Sequence, residues 1–230
     1  VNGKNYGKGT KTQEGVFVWE NIPLEAHNKV VATGLDNGKT YTDTVEWNTL
    51  QYGWIRKNNI WYYYDENGQM QTGWLKENDV WYYLAKNGQM QTGWLKENNV
   101  WYYLNGNGSM RTGWLNENGV WYYLNGNGSM RTGWLNENGI WYYLDKDGQM
   151  KTGWVKDNNA WYYMDKDGSM RTGWLNDNGM RYYLAEDGSM RTGWVKDNNQ
   201  WYYMNGNGSM AVDTVIDGWK IDSNGLASLI

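Results

Sequence analysis

Cysteine is absent from the chain, which excludes a disulfide framework, thiol catalysis and any Cys-ligated metal. Proline and phenylalanine occur once each, and His27 is the single histidine. A Cys-His pair is therefore impossible, and a Ser-His-Asp arrangement would have to use His27. Beside Asn28, that histidine reads as ordinary surface. Long apolar runs are also missing: none approaches the roughly 18 residues of a membrane-spanning helix. Basic excess is lacking too, with 21 Lys and Arg against 25 Asp and Glu and a formal net charge of −4. That balance speaks against a nucleic-acid partner, which favours a basic face. No charged-then-apolar leader follows Val1, as expected of a mature form whose signal peptide lies outside the sequence.

What is present in excess is aromatic. There are 18 Trp, 20 Tyr and 30 Gly in 230 residues, at a mean hydropathy of −0.88. So few aliphatic residues would normally leave a chain disordered. Trp and Tyr instead carry the apolar surface, each burying a large area while keeping a polar tip or a π-face.

These aromatics are periodic. Gly-Trp recurs at Gly53-Trp54 and every twenty residues thereafter to Gly193-Trp194. Seven residues after seven of the eight tryptophans comes Trp-Tyr-Tyr, beginning at Trp61, Trp81, Trp101, Trp121, Trp141, Trp161 and Trp201. A polar Gly-containing turn and a Met (Met70 through Met210) complete each unit. Strict self-similarity at this period signals a repeat architecture.

Each unit reads as a β-hairpin. In the fourth, Trp114-Leu115-Asn116-Glu117 and Val120-Trp121-Tyr122-Tyr123-Leu124 flank Asn118-Gly119, a strong two-residue hairpin signal. If Glu117 pairs with Val120, Trp114 opposes Tyr123. Alternation then puts Trp114, Trp121 and Tyr123 on one face and Leu115, Tyr122 and Leu124 on the other. Met130 would fall in phase with Trp134 if 130–134 were extended. A lone hairpin is marginal in water, so the hairpins are expected to stack as one all-β solenoid. The domain reading is 1–50 as worn N-terminal repeats or a small β cap, 51–210 as eight full repeats, and 211–230 as an atypical capping repeat. In the first segment, Glu14–Trp19 aligns with Asn118–Tyr123 and Thr33-Gly34-Leu35 with Thr72-Gly73-Trp74. In the last, Gly218-Trp219 is displaced by a five-residue insertion.

The succession of Thr-Gly-Trp, Trp-Tyr-Tyr-Leu, an Asn/Asp-rich turn and Gly-Ser/Gln-Met closely resembles the choline-binding repeat of pneumococcal-type surface proteins, autolysins and phage lysins. Residues 52–210 carry that resemblance in full, and the two ends more weakly. It implies a left-handed β-hairpin solenoid with sites between consecutive repeats, each using two Trp of one repeat and a Tyr of the next, with a Met nearby. The implied ligand is the choline of teichoic and lipoteichoic acids, bound by a secreted protein held non-covalently on the bacterial cell wall. Carried onto this chain, the sites are Trp54, Trp61 and Tyr83; Trp74, Trp81 and Tyr103; and Trp94, Trp101 and Tyr123. The series continues with Trp114, Trp121 and Tyr143; Trp134, Trp141 and Tyr163; and Trp154, Trp161 and Tyr183. The second Tyr of each pair is chosen because it shares a face with the tryptophans of its own hairpin. Arg181 replaces the second Trp of the seventh repeat, so a site beside Trp174 and Tyr203 is expected to be lost. Trp194 and Trp201 have no downstream Tyr.

Alternatives remain open at this point. Aromatic faces on strands are often plain core. A carbohydrate-binding aromatic solenoid, or a scaffold or adhesin binding host or bacterial surface proteins, would also use such repeats. Arg111, Arg131, Lys151, Arg171 and Arg191 could touch teichoic-acid phosphates, although a solvated face is the simpler reading. No catalytic constellation stands out, and the expectation is a non-enzymatic binding module without cofactor or metal. Asp145-Lys146-Asp147-Gly148 faintly resembles a calcium loop but lacks the Glu at its twelfth position.

Overall fold

The structure is a computed structural model. It describes residues 1–230 except 12, 14–16, 21, 24–26, 49 and 50, and except the side chains of 27, 36 and 48. The described residues form strands, bridges and turns, with no helix. The chain forms two compact units, Val1–Gly93 with Leu104–Met110 and Trp94–Tyr103 with Arg111–Ile230.

Eight five-residue hairpins run from Gly53–Lys57 with Ile60–Tyr64 to Gly193–Asp197 with Gln200–Met204. They are called repeats 1 to 8 below. The fourth has the expected register, Glu117 opposite Val120 and Trp114 opposite Tyr123. Its turn places Asn118 at φ 52° and Gly119 at φ 84°. Both central residues are left-handed, as a type I′ turn demands, and this turn twists with the strands it joins. Repeat 1 achieves the same with Asn58 at 49° and Asn59 at 65°, since Asn tolerates this region better than most side chains.

The most deeply buried side chains recur once per repeat. Leu84, Leu104, Leu124, Leu144, Met164, Leu184 and Met204, all at the same position of the repeat, are fully buried. Burying each such side chain stabilises the fold by about 1.5–3 kcal/mol. Next to this position a second, reversed turn brings Leu124 back against Met130 as an isolated bridge. Met130 is not in extended phase with Trp134, because Gly133 turns the chain at φ 74°. The Met130 side chain lies instead on Gly148 in the following turn, where any Cβ would collide with its thioether.

Neighbouring repeats are joined by a backbone bond of fixed span. Met90 N donates to the Trp61 carbonyl at 2.9 Å in the first unit. In the second, Met130, Met150, Met170 and Met190 do the same to Trp101, Trp121, Trp141 and Trp161 at 2.7–2.8 Å. A strict twenty-residue period makes this possible, because an insertion in either turn would move donor and acceptor out of line.

The ends differ from the repeats. Thr10–Lys11 pairs with Phe17–Val18, and His27–Asp36 pairs with Lys39–Asn48 over ten residues each. Asn37-Gly38 supplies the turn, and Gly34, aligned by sequence with the turning Gly73, lies mid-strand opposite Tyr41. Of the Glu14–Trp19 alignment, 14–16 lie outside the described residues. At the other end, Thr214–Ile216, Trp219–Ile221 and Ala227–Leu229 form a three-stranded sheet. Met210 packs on Gly225 there as earlier methionines pack on the repeat glycines.

Candidate functional site: the aromatic clusters

Each Gly-Trp tryptophan sits at the centre of a group of inclined rings. In repeat 4, Trp121 stands edge-on to Trp114 at 6.2 Å and 85°, and the cross-strand Tyr123 lies at 5.3 Å. The next hairpin adds Tyr142 at 4.9 Å and 70°. The same grouping surrounds Trp54 with Tyr82, Trp94 with Tyr122, Trp134 with Tyr162 and Trp154 with Tyr182 at 4.7–4.9 Å. Trp121 and its counterparts remain exposed enough for a ligand to reach.

The contributing tyrosine differs from the sequence expectation. The ring of the next hairpin that meets Trp54 is Tyr82 rather than Tyr83; for Trp94 it is Tyr122 rather than Tyr123. Likewise Trp114 meets Tyr142 rather than Tyr143, Trp134 meets Tyr162 rather than Tyr163, and Trp154 meets Tyr182 rather than Tyr183. The reason is facial. A hairpin looks back at its predecessor with its Leu/first-Tyr face, whereas the second Tyr points forward with its own tryptophans. Trp74 and Trp81 lie in the first unit and form the usual perpendicular pair at 6.3 Å, while Tyr103 lies in the second, against Trp94 at 5.2 Å.

A carboxylate borders these rings, a feature the sequence reading missed. Tyr63, Tyr103 and Tyr123 donate their hydroxyls to Glu77, Glu117 and Glu137 at 2.7–2.9 Å. Where the acid is the shorter Asp, the indole becomes a partner: Trp134, Trp154 and Trp174 donate Nε1–H to Asp157, Asp177 and Asp197 at 3.1 Å, and Tyr143 still donates its hydroxyl to Asp157 at 3.4 Å. The carboxylate bond, followed by burial and the carboxylate's charge, holds the Tyr63, Tyr103 and Tyr123 phenols above their usual range. For Tyr143 burial is the larger cause, with Asp157 behind it.

Two clusters depart from the series. In repeat 7 the Arg181 guanidinium lies 4.1 Å from the Trp174 ring centroid, and Tyr202 meets the same indole at 4.7 Å and 72°. The cluster is thus filled by the chain's own cation rather than merely flanked by it. In repeat 8 the third ring is Trp219, at 5.7 Å from Trp194, with Trp201 at 6.4 Å. Asp217 takes the acid position and accepts from Trp194 Nε1 at 3.3 Å. Asp217 keeps the 23-residue spacing from the central Trp, so the expected five-residue insertion does not precede it. Gly218 is a turn glycine at φ 81° and Trp219 opens the second strand of its sheet, outside a search for Tyr at fixed spacing.

The basic residues after each Met are largely held by their own repeats. Arg111 donates to the Trp114 carbonyl at 2.6 Å and Arg131 to that of Trp134. Lys151 and Arg171 pair with Asp145 and Asp165 at 3.8 and 3.3 Å. Asp145 also accepts the Asp147 and Gln149 backbone N–H groups, the work of a turn residue. Among the described residues, no group of three or more His, Asp or Glu is placed to hold a metal.

The choline-binding repeat model matches overlapping segments that together span residues 52–214. The chain belongs to the choline-binding repeat family. CbpJ from Streptococcus pneumoniae aligns at 35% identity over 94% of this chain and 73% of its own, with a TM-score of 0.69. Choline binding protein F from the same organism aligns at 38% over 94% and 73%, with a TM-score of 0.68. The choline-binding domain of pneumococcal CbpL aligns at 30% over 78% and 98%, with a TM-score of 0.63. The comparison with curated proteins gave no match. The shared fold is the all-β hairpin solenoid, and the choline-binding repeats of this chain are the units that carry its aromatic clusters.

Proposed function

We propose that the chain is a binding module that captures choline between successive repeats and so attaches to phosphocholine on teichoic and lipoteichoic acids of a cell wall. The observation that carries this reading is the seventh cluster, where a cation of the chain itself rests on the Trp174 ring at 4.1 Å. In the other repeats a second Trp stands where Arg181 does, edge-on to the first at 6.2–6.5 Å. A quaternary ammonium has no N–H to donate, so it is held by ring quadrupoles rather than hydrogen bonds. The proposed cages are Trp54, Trp61 and Tyr82; Trp94, Trp101 and Tyr122; and Trp114, Trp121 and Tyr142. Further cages are Trp134, Trp141 and Tyr162; Trp154, Trp161 and Tyr182; and Trp194, Trp201 and Trp219, with the bordering carboxylates adding negative potential.

At about 0.5–2 kcal/mol per ring, less the loss of freedom on association, one cage binds choline at roughly millimolar Kd. A wall-anchored, exported protein suits such sites, because many weak contacts to one polymer add up. No helix among the described residues is long and apolar enough to cross a membrane. The reading is tested on a quaternary-amine resin. Retention with elution by free choline is expected; passage straight through, or equal elution by glucose polymers, rejects it.

A further inference from the structure

We infer that the cages are unequal, and that the residue opposite the second Trp of each hairpin sets their strength. This rests on the choline reading above. In repeats 1, 6 and 8 that residue is Arg56, Lys156 or Lys196, directly across the ladder from Trp61, Trp161 or Trp201. Its charge lies 5.7–5.8 Å from the ring centroid, and Lys96 lies 5.5 Å from Trp101 in repeat 3. In repeats 4 and 5 the same place holds Asn116 and Asn136, opposite Trp121 and Trp141. Neither amide covers the ring. Each turns back to accept the N–H of its turn glycine, Gly119 or Gly139, at 3.1 Å.

Exposure of the second Trp follows this division. Trp121 and Trp141 are each 43% exposed, against 38–40% for Trp61, Trp101, Trp161 and Trp201. The electrostatic consequence is larger than the difference in area. A fixed cation at the indole already draws on the ring quadrupole and repels a second cation brought to the same ring. Arg181 is the limit of this series, a cation inside the cage. Repeats 4 and 5 therefore hold the tight sites, Trp114, Trp121 and Tyr142 with Trp134, Trp141 and Tyr162. The cages of repeats 1, 3, 6 and 8 are weaker by about two- to tenfold at low salt, a gap that closes as salt screens the lysines.

Tryptophan fluorescence titrated with choline chloride on the whole chain tests this. Two tight equivalents followed by a weaker phase are expected. The double variant Asn116→Lys with Asn136→Lys should lose the tight phase, and Lys96→Asn should add a tight equivalent. Asn116→Met with Asn136→Met adds bulk and removes the turn bond without adding charge, so it should keep the tight phase. Uniform binding unaffected by these exchanges, or an equal loss with Met and Lys, overturns the grading while leaving choline binding intact. No response to choline at all overturns both.

Discussion

At the scale of single residues, the clusters are fastened by bonds between a phenol or indole and a carboxylate of the next hairpin. The Tyr123 hydroxyl on Glu137 at 2.7 Å is a charge-assisted bond in a half-open setting. Tyr123→Phe is expected to lower stability by about 1 kcal/mol, read from urea unfolding. An unchanged midpoint would show the bond to be idle. The pH sign follows from the raised phenol. A group whose folded pKa exceeds its unfolded value of 10.0 contributes fully below that value. The contribution is lost as pH climbs through the higher folded pKa. Phenolate absorbance of the folded chain should therefore rise later for Tyr63, Tyr103, Tyr123 and Tyr143 than for the free amino acid, with stability falling on the alkaline side. Comparing the titration of Tyr123→Phe with that of the parent checks this. Residue types were legible in the sequence, but the tyrosine facing each Trp was not. Alternation tells which side chains share a face, as Trp114 and Tyr123 do, yet not which face looks back at the preceding hairpin.

At the scale of the element, the hairpin register was fully legible because both of its causes are local. Asn118-Gly119 fixes the turn, and strand alternation from that register puts Trp114, Trp121 and Tyr123 on one face and Leu115, Tyr122 and Leu124 on the other. The ends were less legible. His27–Asp36 and Lys39–Asn48 show alternating residues and an Asn-Gly turn, but nothing in that pattern sets strand length at ten rather than five. Two glycines of successive repeats separate backbone from packing demands. Gly119 has φ 84° and open space around its missing Cβ, so Gly119→Ala should cost about 1 kcal/mol from the left-handed backbone alone. Gly148 has φ 79° and also carries the Met130 thioether. Gly148→Ala is therefore expected to cost more, about 2–4 kcal/mol, and adding Met130→Ala should return part of that loss. Thermal or urea unfolding of the three variants decides it, and equal losses for the two glycines would refute the packing role of Met130.

At the scale of the whole molecule, stability and binding both follow from repetition. Leu124→Ala removes a fully buried side chain and should cost about 2–5 kcal/mol. In a chain whose repeats lean on their neighbours, that loss should appear as earlier unfolding of the repeats on either side. Amide exchange would locate it, and protection lost evenly over the chain would contradict nearest-neighbour coupling. On the proposed choline reading, binding to a choline-bearing surface is summed over cages, because each bound cage holds the others at high local concentration. Removing one central ring, as in Trp114→Ala, should therefore lower the number of choline equivalents by one while shifting the eluting choline concentration only modestly. Removing Trp114 and Trp134 together should shift elution far more than the sum of two such steps in equivalents suggests, since retention falls as a product of site contributions. Resin elution compared with the count from fluorescence titration checks this. If both fall in strict proportion, the cages act alone and the repeat number serves the fold rather than the grip.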